Sequence, residues 1–111
     1  MRIVHVTKHA VEQARARCPE IDKDTFAVRA LITEEVLDAI AQGRMATRTP
    51  RFAVRNGTTE RALGRRNGAE RDRTKRFVWN EACNRLYLID RTQNMVAVVT
   101  TIRPDNATLH G

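Results

Sequence analysis

The residues best suited to chemistry in this sequence lie near its start, where His9, Gln13 and Arg17 follow one another at four-residue intervals. In a helix, this spacing places the three side chains near one edge. A histidine beside an arginine suits the cleavage of a phosphodiester, because imidazole exchanges a proton near neutral pH and guanidinium neutralises a phosphorane. His9 could instead bond to a carbonyl group of a neighbouring strand and serve the fold alone. Both interpretations of His9 stay open at this level.

Three residues near the end of the chain extend this candidate set. Arg85 and Tyr87 are two residues apart, so they share one face of a predicted strand, and Arg103 follows the next strand. We place Tyr87 with His9 and Arg17 as the candidate catalytic residues. The alternative for Tyr87 is a half-buried packing position in the sheet, which is the commoner role of such a tyrosine.

Other catalytic chemistries lack the residues that they need. The chain contains no serine, so a serine nucleophile is excluded. Its three histidines and two cysteines do not show the spacing of a metal site, and Gly64 and Gly68 do not form a phosphate-binding loop. Cys18 and Cys83 lie among apolar or neutral neighbours, which favours reduced thiols in the core. We therefore expect neither a metal nor a cofactor.

Positive charge is concentrated in one part of the chain. The 111 residues carry a formal net charge of +7, and residues 44–76 alone hold eleven Lys and Arg against three Asp and Glu, a net charge of +8. An arginine guanidinium can donate two parallel hydrogen bonds to one phosphate group. No aromatic residue lies between Phe52 and Phe77 to stack on bases. We therefore expect contacts with a phosphate backbone, against the alternative of a solvated loop without a partner. The candidate nucleic-acid-binding residues are Arg48, Arg51, Arg55, Arg61, Arg65, Arg66, Arg71, Arg73, Lys75 and Arg76.

Hydrophobic spacing predicts helices in the first third of the chain. The first helix begins at Lys8, behind the N-cap residue Thr7, and ends before Pro19. The second follows Asp22 or Asp24 as its cap and ends at Gly43. A break at Thr33 would divide this second segment into two helices. The apolar side of the first helix contains Ala10, Val11, Ala14 and Cys18.

After Gly43 the apolar period changes from that of a helix to that of strands. In the segment 51–55, Phe52 and Val54 would face the core while Arg51, Ala53 and Arg55 face outward. Turn residues fill 56–75, which we expect to be a long and mobile Arg-rich loop. The predicted strands are 44–49, 51–55, 76–79, 86–89 and 95–102, with 2–6 as a short strand or an extended lead-in.

Together these elements predict a single α+β domain over residues 1–104, followed by a frayed tail over 105–111. Two or three N-terminal helices pack on a four- to five-stranded antiparallel sheet, which carries the long Arg-rich loop. The longest aliphatic run, residues 95–99, is far shorter than the ~20 residues of a membrane helix, and the N-terminus lacks the apolar stretch of a signal peptide. We therefore expect a cytoplasmic protein without a membrane partner.

Three segments resemble small bacterial and phage proteins related to RelE/BrnT-type toxins. Residues 7–17 resemble the opening helix of those proteins, 32–43 look like their second helix, and 96–102 are similar to their final strand. The resemblance implies a helix–helix–sheet fold and, in active members, a metal-independent endoribonuclease that acts on mRNA or ribosome-bound RNA. This sequence departs from the pattern at Gln13, where related sequences tend to have arginine, and in the tract 56–75, which has no counterpart there.

These observations lead to two classes of function. The first is a basic nucleic-acid-binding protein, with RNA favoured, that resembles a toxin-type endoribonuclease and binds phosphates through the arginines of 44–76. The alternative is a non-catalytic phage-encoded binding or inhibitor protein that uses the same residues on nucleic acid or on an acidic host protein. In a third hypothesis, the tract 56–75 folds on a cognate antitoxin. The oligomeric state is not specified by the sequence.

Overall fold

A computed structural model describes residues 3–21, 24–55, 74–92 and 94–104 of the chain. In these ranges the protein has three helices and a five-stranded sheet, which confirms the predicted α+β class. Residues 56–73 of the predicted Arg-rich loop and the predicted tail 105–111 lie outside the described residues. The elements are β1 (Ile3–Val6), α1 (Lys8–Arg17), α2 (Thr25–Ala41), β2 (Met45–Ala46), α3 (Arg51–Arg55), β3 (Lys75–Asn80), β4 (Arg85–Arg91) and β5 (Met95–Ile102).

The sheet has the strand order β1-β5-β4-β3-β2 and is mixed rather than antiparallel. Strands β2 to β5 pair antiparallel with their neighbours, but β1 runs parallel to β5, with Val4 opposite Val96 and Val6 opposite Val98. The prediction of a wholly antiparallel sheet is therefore wrong at this edge. Three helices and three strands separate β1 from β5 in the chain, so no hairpin turn fixes their relative direction.

Helix α1 begins where its sequence predicts. The Thr7 hydroxyl accepts a hydrogen bond from the Ala10 amide at 3.1 Å, and it donates to the Val98 carbonyl at 2.9 Å. The cap residue therefore stabilises the first turn and also ties the start of α1 to β5. The side chains predicted for the apolar side are all buried: Ala10, Val11, Ala14 and, just after the helix, Cys18.

Helix α2 is continuous and has no break at Thr33. The Thr33 hydroxyl donates to the Arg29 carbonyl at 2.8 Å, so it bonds back within the helix instead of capping a new one. Asp24 occupies the N-cap position, and Gly43 follows the helix with a φ of 76°, a conformation that glycine adopts without strain. At 17 residues α2 is the longest described helix, and no helix of the described part is long and apolar enough to cross a membrane.

Residues 51–55 form the helix α3 and not the predicted strand. The Ala53 amide donates to the Pro50 carbonyl at 3.1 Å, and the fixed φ of a proline suits the first turn of a helix. Phe52 and Ala53 are both buried, whereas the strand interpretation placed Ala53 on the outer face. The prediction failed because a five-residue apolar pattern does not separate the two periods.

Helices cover both faces of the sheet. Helix α1 packs against β5, and α2 packs against β1 and β3 on the same face. Helix α3 lies on the opposite face, where the Phe52 and Trp79 ring centroids are 6.5 Å apart. The core beneath α1 and α2 includes Val6, Val28, Ile32, Val36, Val78, Tyr87, Ile89, Val96 and Val98. The core beneath α3 consists of Phe52, Ala53, Phe77, Leu86, Leu88 and Ile102.

Candidate functional site

His9 and Arg17 lie at opposite ends of α1. They are eight positions apart, which corresponds to a rise of about 12 Å along a helix axis. His9 is exposed in the first turn, whereas the Arg17 guanidinium donates to the Thr101 carbonyl at 3.1 Å and so contacts β5. This placement does not bring the two side chains to one phosphodiester. Their catalytic roles stay predictions.

Tyr87, the third candidate catalytic residue, is fully buried beneath the helices. Its hydroxyl lies near the Glu35 carboxylate but makes no well-formed hydrogen bond with the residues that the structure describes. Burial raises the pKa of Tyr87, and the negative charge of Glu35 raises it further, so the phenol stays protonated at neutral pH. Its placement matches the packing alternative.

We expect Tyr87→Phe to change the free energy of unfolding by less than about 1 kcal/mol, because the ring stays and the lost hydroxyl makes no well-formed hydrogen bond with a described residue. Urea unfolding at neutral pH measures this change. A larger loss of stability would mean that the hydroxyl is hydrogen-bonded in solution, with the nearby Glu35 carboxylate as the acceptor. The same variant also tests the catalytic role, since any RNA cleavage by the protein should survive in it.

The described part of the basic segment presents arginines on α3 and just before it. Arg48, Arg51 and Arg55 are exposed, and the four-residue spacing of Arg51 and Arg55 places them on one face of the helix. Arg55 forms an ion pair with Glu81 at 3.2 Å. Neither Arg48 nor Arg51 forms an ion pair with any residue that the structure describes. We call these three residues the α3 arginines.

The other basic residues of this segment differ in their placement. Lys75 and Arg76 are half-buried in β3, where the Arg76 guanidinium donates to the Lys75 carbonyl at 2.7 Å. Arg44 bonds to Asp38 at 2.8 Å and to the Trp79 carbonyl at 3.0 Å, so it supports the fold. The predicted binding residues outside the described ranges are Arg61, Arg65, Arg66, Arg71 and Arg73.

A buried ion pair links α2 to β4. Arg85 lies on the same face of β4 as Tyr87, which confirms the predicted sharing of a face, and its side chain is 5% exposed. The Nε and Nη2 atoms of Arg85 each lie 2.9 Å from an oxygen of Glu35, and the Asn80 amide donates to that carboxylate at 2.9 Å. Burial alone would lower the pKa of Arg85, but bonding to Glu35 outweighs it and raises the pKa above its usual range. The guanidinium is therefore charged and held in one orientation.

The remaining edge of Arg85 faces a pocket beside the connection between α1 and α2. Its Nη1 lies 3.1 Å from the Glu20 carboxylate, which is also bonded to Arg103. Burial acts to raise the pKa of Glu20, but a backbone hydrogen bond and Arg103 hold it below the usual range. Ile21, Leu31 and Ala82 also line this space, which has a volume of about 450 Å³. We call it the Arg85–Arg103 pocket.

The two cysteines occupy different environments. Cys18 is buried, and burial raises the pKa of its thiol, although the nearby Arg103 guanidinium acts in the opposite direction. Cys83 is exposed in the turn between β3 and β4, so the prediction of a core position is wrong for this residue. Both are free thiols. Within the described ranges, no group of three His, Cys, Asp or Glu residues is arranged to hold a metal ion.

Comparison of the chain with protein-family models, with curated proteins and with solved structures found no significant match in any of the three. The resemblance of residues 7–17, 32–43 and 96–102 to RelE/BrnT-type toxins therefore stays a prediction from those residues.

Proposed function

We propose that this protein binds nucleic acid, RNA in the first place, through contacts between the arginines of residues 44–76 and phosphate groups. The observation that carries the proposal is the exposure of Arg48 and Arg51 without described acidic partners, within a segment of net charge +8. Helix α3 is packed on the sheet through Phe52, so it presents Arg51 from a fixed backbone, and Arg48 lies three residues before it. An arginine on a backbone that is already ordered costs less backbone entropy when it contacts phosphate than an arginine on a free chain would.

Phosphate contact fits the available residues better than base stacking does. Phe52 and Phe77, the aromatic residues on either side of the arginine-rich tract, are both buried in the core beneath α3. Stacking on single-stranded bases needs an exposed aromatic face. Guanidinium groups bind phosphate oxygens irrespective of base sequence. We therefore expect binding with little sequence preference and a strong dependence on salt.

An acidic protein surface, such as a cognate antitoxin or a host protein, is the alternative partner for the same arginines. Salt dependence separates the two, because displacement of condensed counterions from nucleic acid makes affinity fall steeply with salt. Metal-independent cleavage of RNA with His9 as the proton-transfer group is a further step of the proposal, and a cytoplasmic location goes with an RNA target.

The test is binding of the purified full chain to a labelled single-stranded RNA in EDTA, at salt concentrations from about 50 to about 300 mM. We expect the logarithm of affinity to fall linearly with the logarithm of salt, by roughly 0.7 for each phosphate contacted. A slope near zero, or no binding at the lowest salt, would overturn the proposal. Gel analysis of the same samples tests cleavage, which must be lost in His9→Ala if His9 takes part in the chemistry.

A further inference from the structure

Arg85 is a preformed anion-binding group in the wall of the Arg85–Arg103 pocket. Its Nε and Nη2 atoms each contact a Glu35 oxygen at 2.9 Å, and Glu35 also accepts a hydrogen bond from Asn80. Rotation of the guanidinium would break both contacts with Glu35. Its Nη1 atom points to Glu20 at the pocket. The desolvation and ordering of this cation are therefore complete before any ligand arrives.

The Glu20 carboxylate is the anion that pairs with Arg85 and Arg103 at this pocket, and it is held there weakly. Its carboxylate bridges the Nη1 atoms of Arg85 and Arg103, but its side chain is 44% exposed. The residue belongs to the connection between α1 and α2 and not to either helix. A half-exposed ion pair contributes little stability, so another anion can compete with Glu20 for the two guanidinium groups.

The rest of the pocket suits an apolar group. Ile21, Leu31 and Ala82 lie beside the charged residues, and the volume of about 450 Å³ is within the range of small-molecule sites. We propose that this pocket binds an organic carboxylate with an apolar body, which displaces Glu20 from Arg85 and Arg103. The proposal is independent of nucleic-acid binding, because it uses none of the α3 arginines.

The carboxylate could belong to a free organic acid or to the C-terminus of a peptide with an apolar last residue, and both present the same chemistry. Hexanoate serves as the probe for the first source, and a short peptide ending in leucine serves for the second. Hexanamide and the C-terminally amidated peptide are the neutral controls. Whichever carboxylate binds more tightly identifies the source, and failure of both to bind overturns the proposal.

Amide resonances of the full chain, followed by NMR during titration, report binding at the pocket. We expect hexanoate to shift the resonances of residues 82–85 in a saturable way, and hexanamide to bind at least about tenfold more weakly because it lacks the charge. Removing the tethered competitor in Glu20→Ala should tighten hexanoate binding by about tenfold. Glu12→Ala removes an exposed carboxylate of α1, with the same change of net charge, and should leave the affinity unchanged.

Arg103→Gln provides a second variant that keeps Glu20 and the buried pair intact. It removes one of the two guanidinium groups, so we expect hexanoate to bind about tenfold more weakly. Unchanged affinity in this variant would overturn the proposal even if Glu20→Ala does not fold. Equal binding of hexanoate and hexanamide, or no tightening in a folded Glu20→Ala protein, would also overturn it.

Discussion

Arg85→Met is expected to lower the free energy of unfolding by about 3 to 5 kcal/mol, because removal of one member of a buried ion pair leaves the other charge buried without its partner. In this variant the Glu35 carboxylate, 7% exposed, retains the Asn80 amide as its described side-chain donor. A single hydrogen bond from a neutral amide does not replace two contacts from a guanidinium. For a domain of this size, the loss is a large part of the total stability.

Glu35→Leu is expected to be less damaging than Arg85→Met, since Arg85 would keep its contact with Glu20. The double variant should be more stable than the sum of the two losses predicts, because it buries neither charge. Urea unfolding of the wild type, both single variants and the double variant gives the coupling energy directly.

The ion pair between Arg55 and Glu81 is the matched control for this cycle. Its atoms are 3.2 Å apart, but the side chains are 72% and 60% exposed. We expect the coupling energy of this pair to stay below about 1 kcal/mol, because water screens exposed charges. Additive losses at Glu35 and Arg85, or equal coupling energies in the two pairs, would mean that burial does not strengthen the pair between Glu35 and Arg85.

The parts of the fold that could be predicted depend on signals within a few residues of each other. Thr7 caps the helix that begins at the next residue, and Gly43 adopts the positive φ that ends the second helix. The four apolar residues of α1 needed no information beyond the helical period. Each of these features is decided by local backbone geometry, which neighbouring residues largely determine.

The parts that could not be predicted depend on distant residues or on very short segments. The parallel pairing of β1 with β5 joins residues that are more than ninety positions apart, such as Ile3 and Met95. For residues 51–55, the apolar pattern fits a strand and a helix equally, and packing of Phe52 against Trp79 belongs to the tertiary structure. Local pattern therefore specified the class of fold but not these connections.

The ion-pair network shows the same division within the candidate site. Glu35 lies on the buried stripe of α2 with Ile32, Val36 and Ala39, so its position already required a buried partner. The identity of that partner, Arg85, depends on how β4 passes beneath α2. Arg85 was a candidate because of its alternation with Tyr87, but the sequence did not indicate that it would meet a carboxylate fifty positions away.

Substitution of the α3 arginines is expected to cause a large loss of affinity for RNA. Arg48→Gln combined with Arg51→Gln should weaken binding to single-stranded RNA about 25-fold near 0.1 M salt, if each arginine contacts one phosphate. The expected slope of log affinity against log salt becomes shallower by about 1.4, or 0.7 for each lost contact. Fluorescence anisotropy at several salt concentrations measures both quantities on the same protein.

Lys8→Gln combined with Arg15→Gln is the control, because it also removes two exposed cations and changes the net charge equally. These residues lie on α1, outside the basic segment, so we expect less than about a threefold change in affinity and an unchanged slope. Similar weakening in both double variants would mean that RNA responds only to the net charge of the protein. Such a result would contradict the proposal that Arg48 and Arg51 contact phosphates. If they do, their removal must weaken binding more than the removal of other exposed cations.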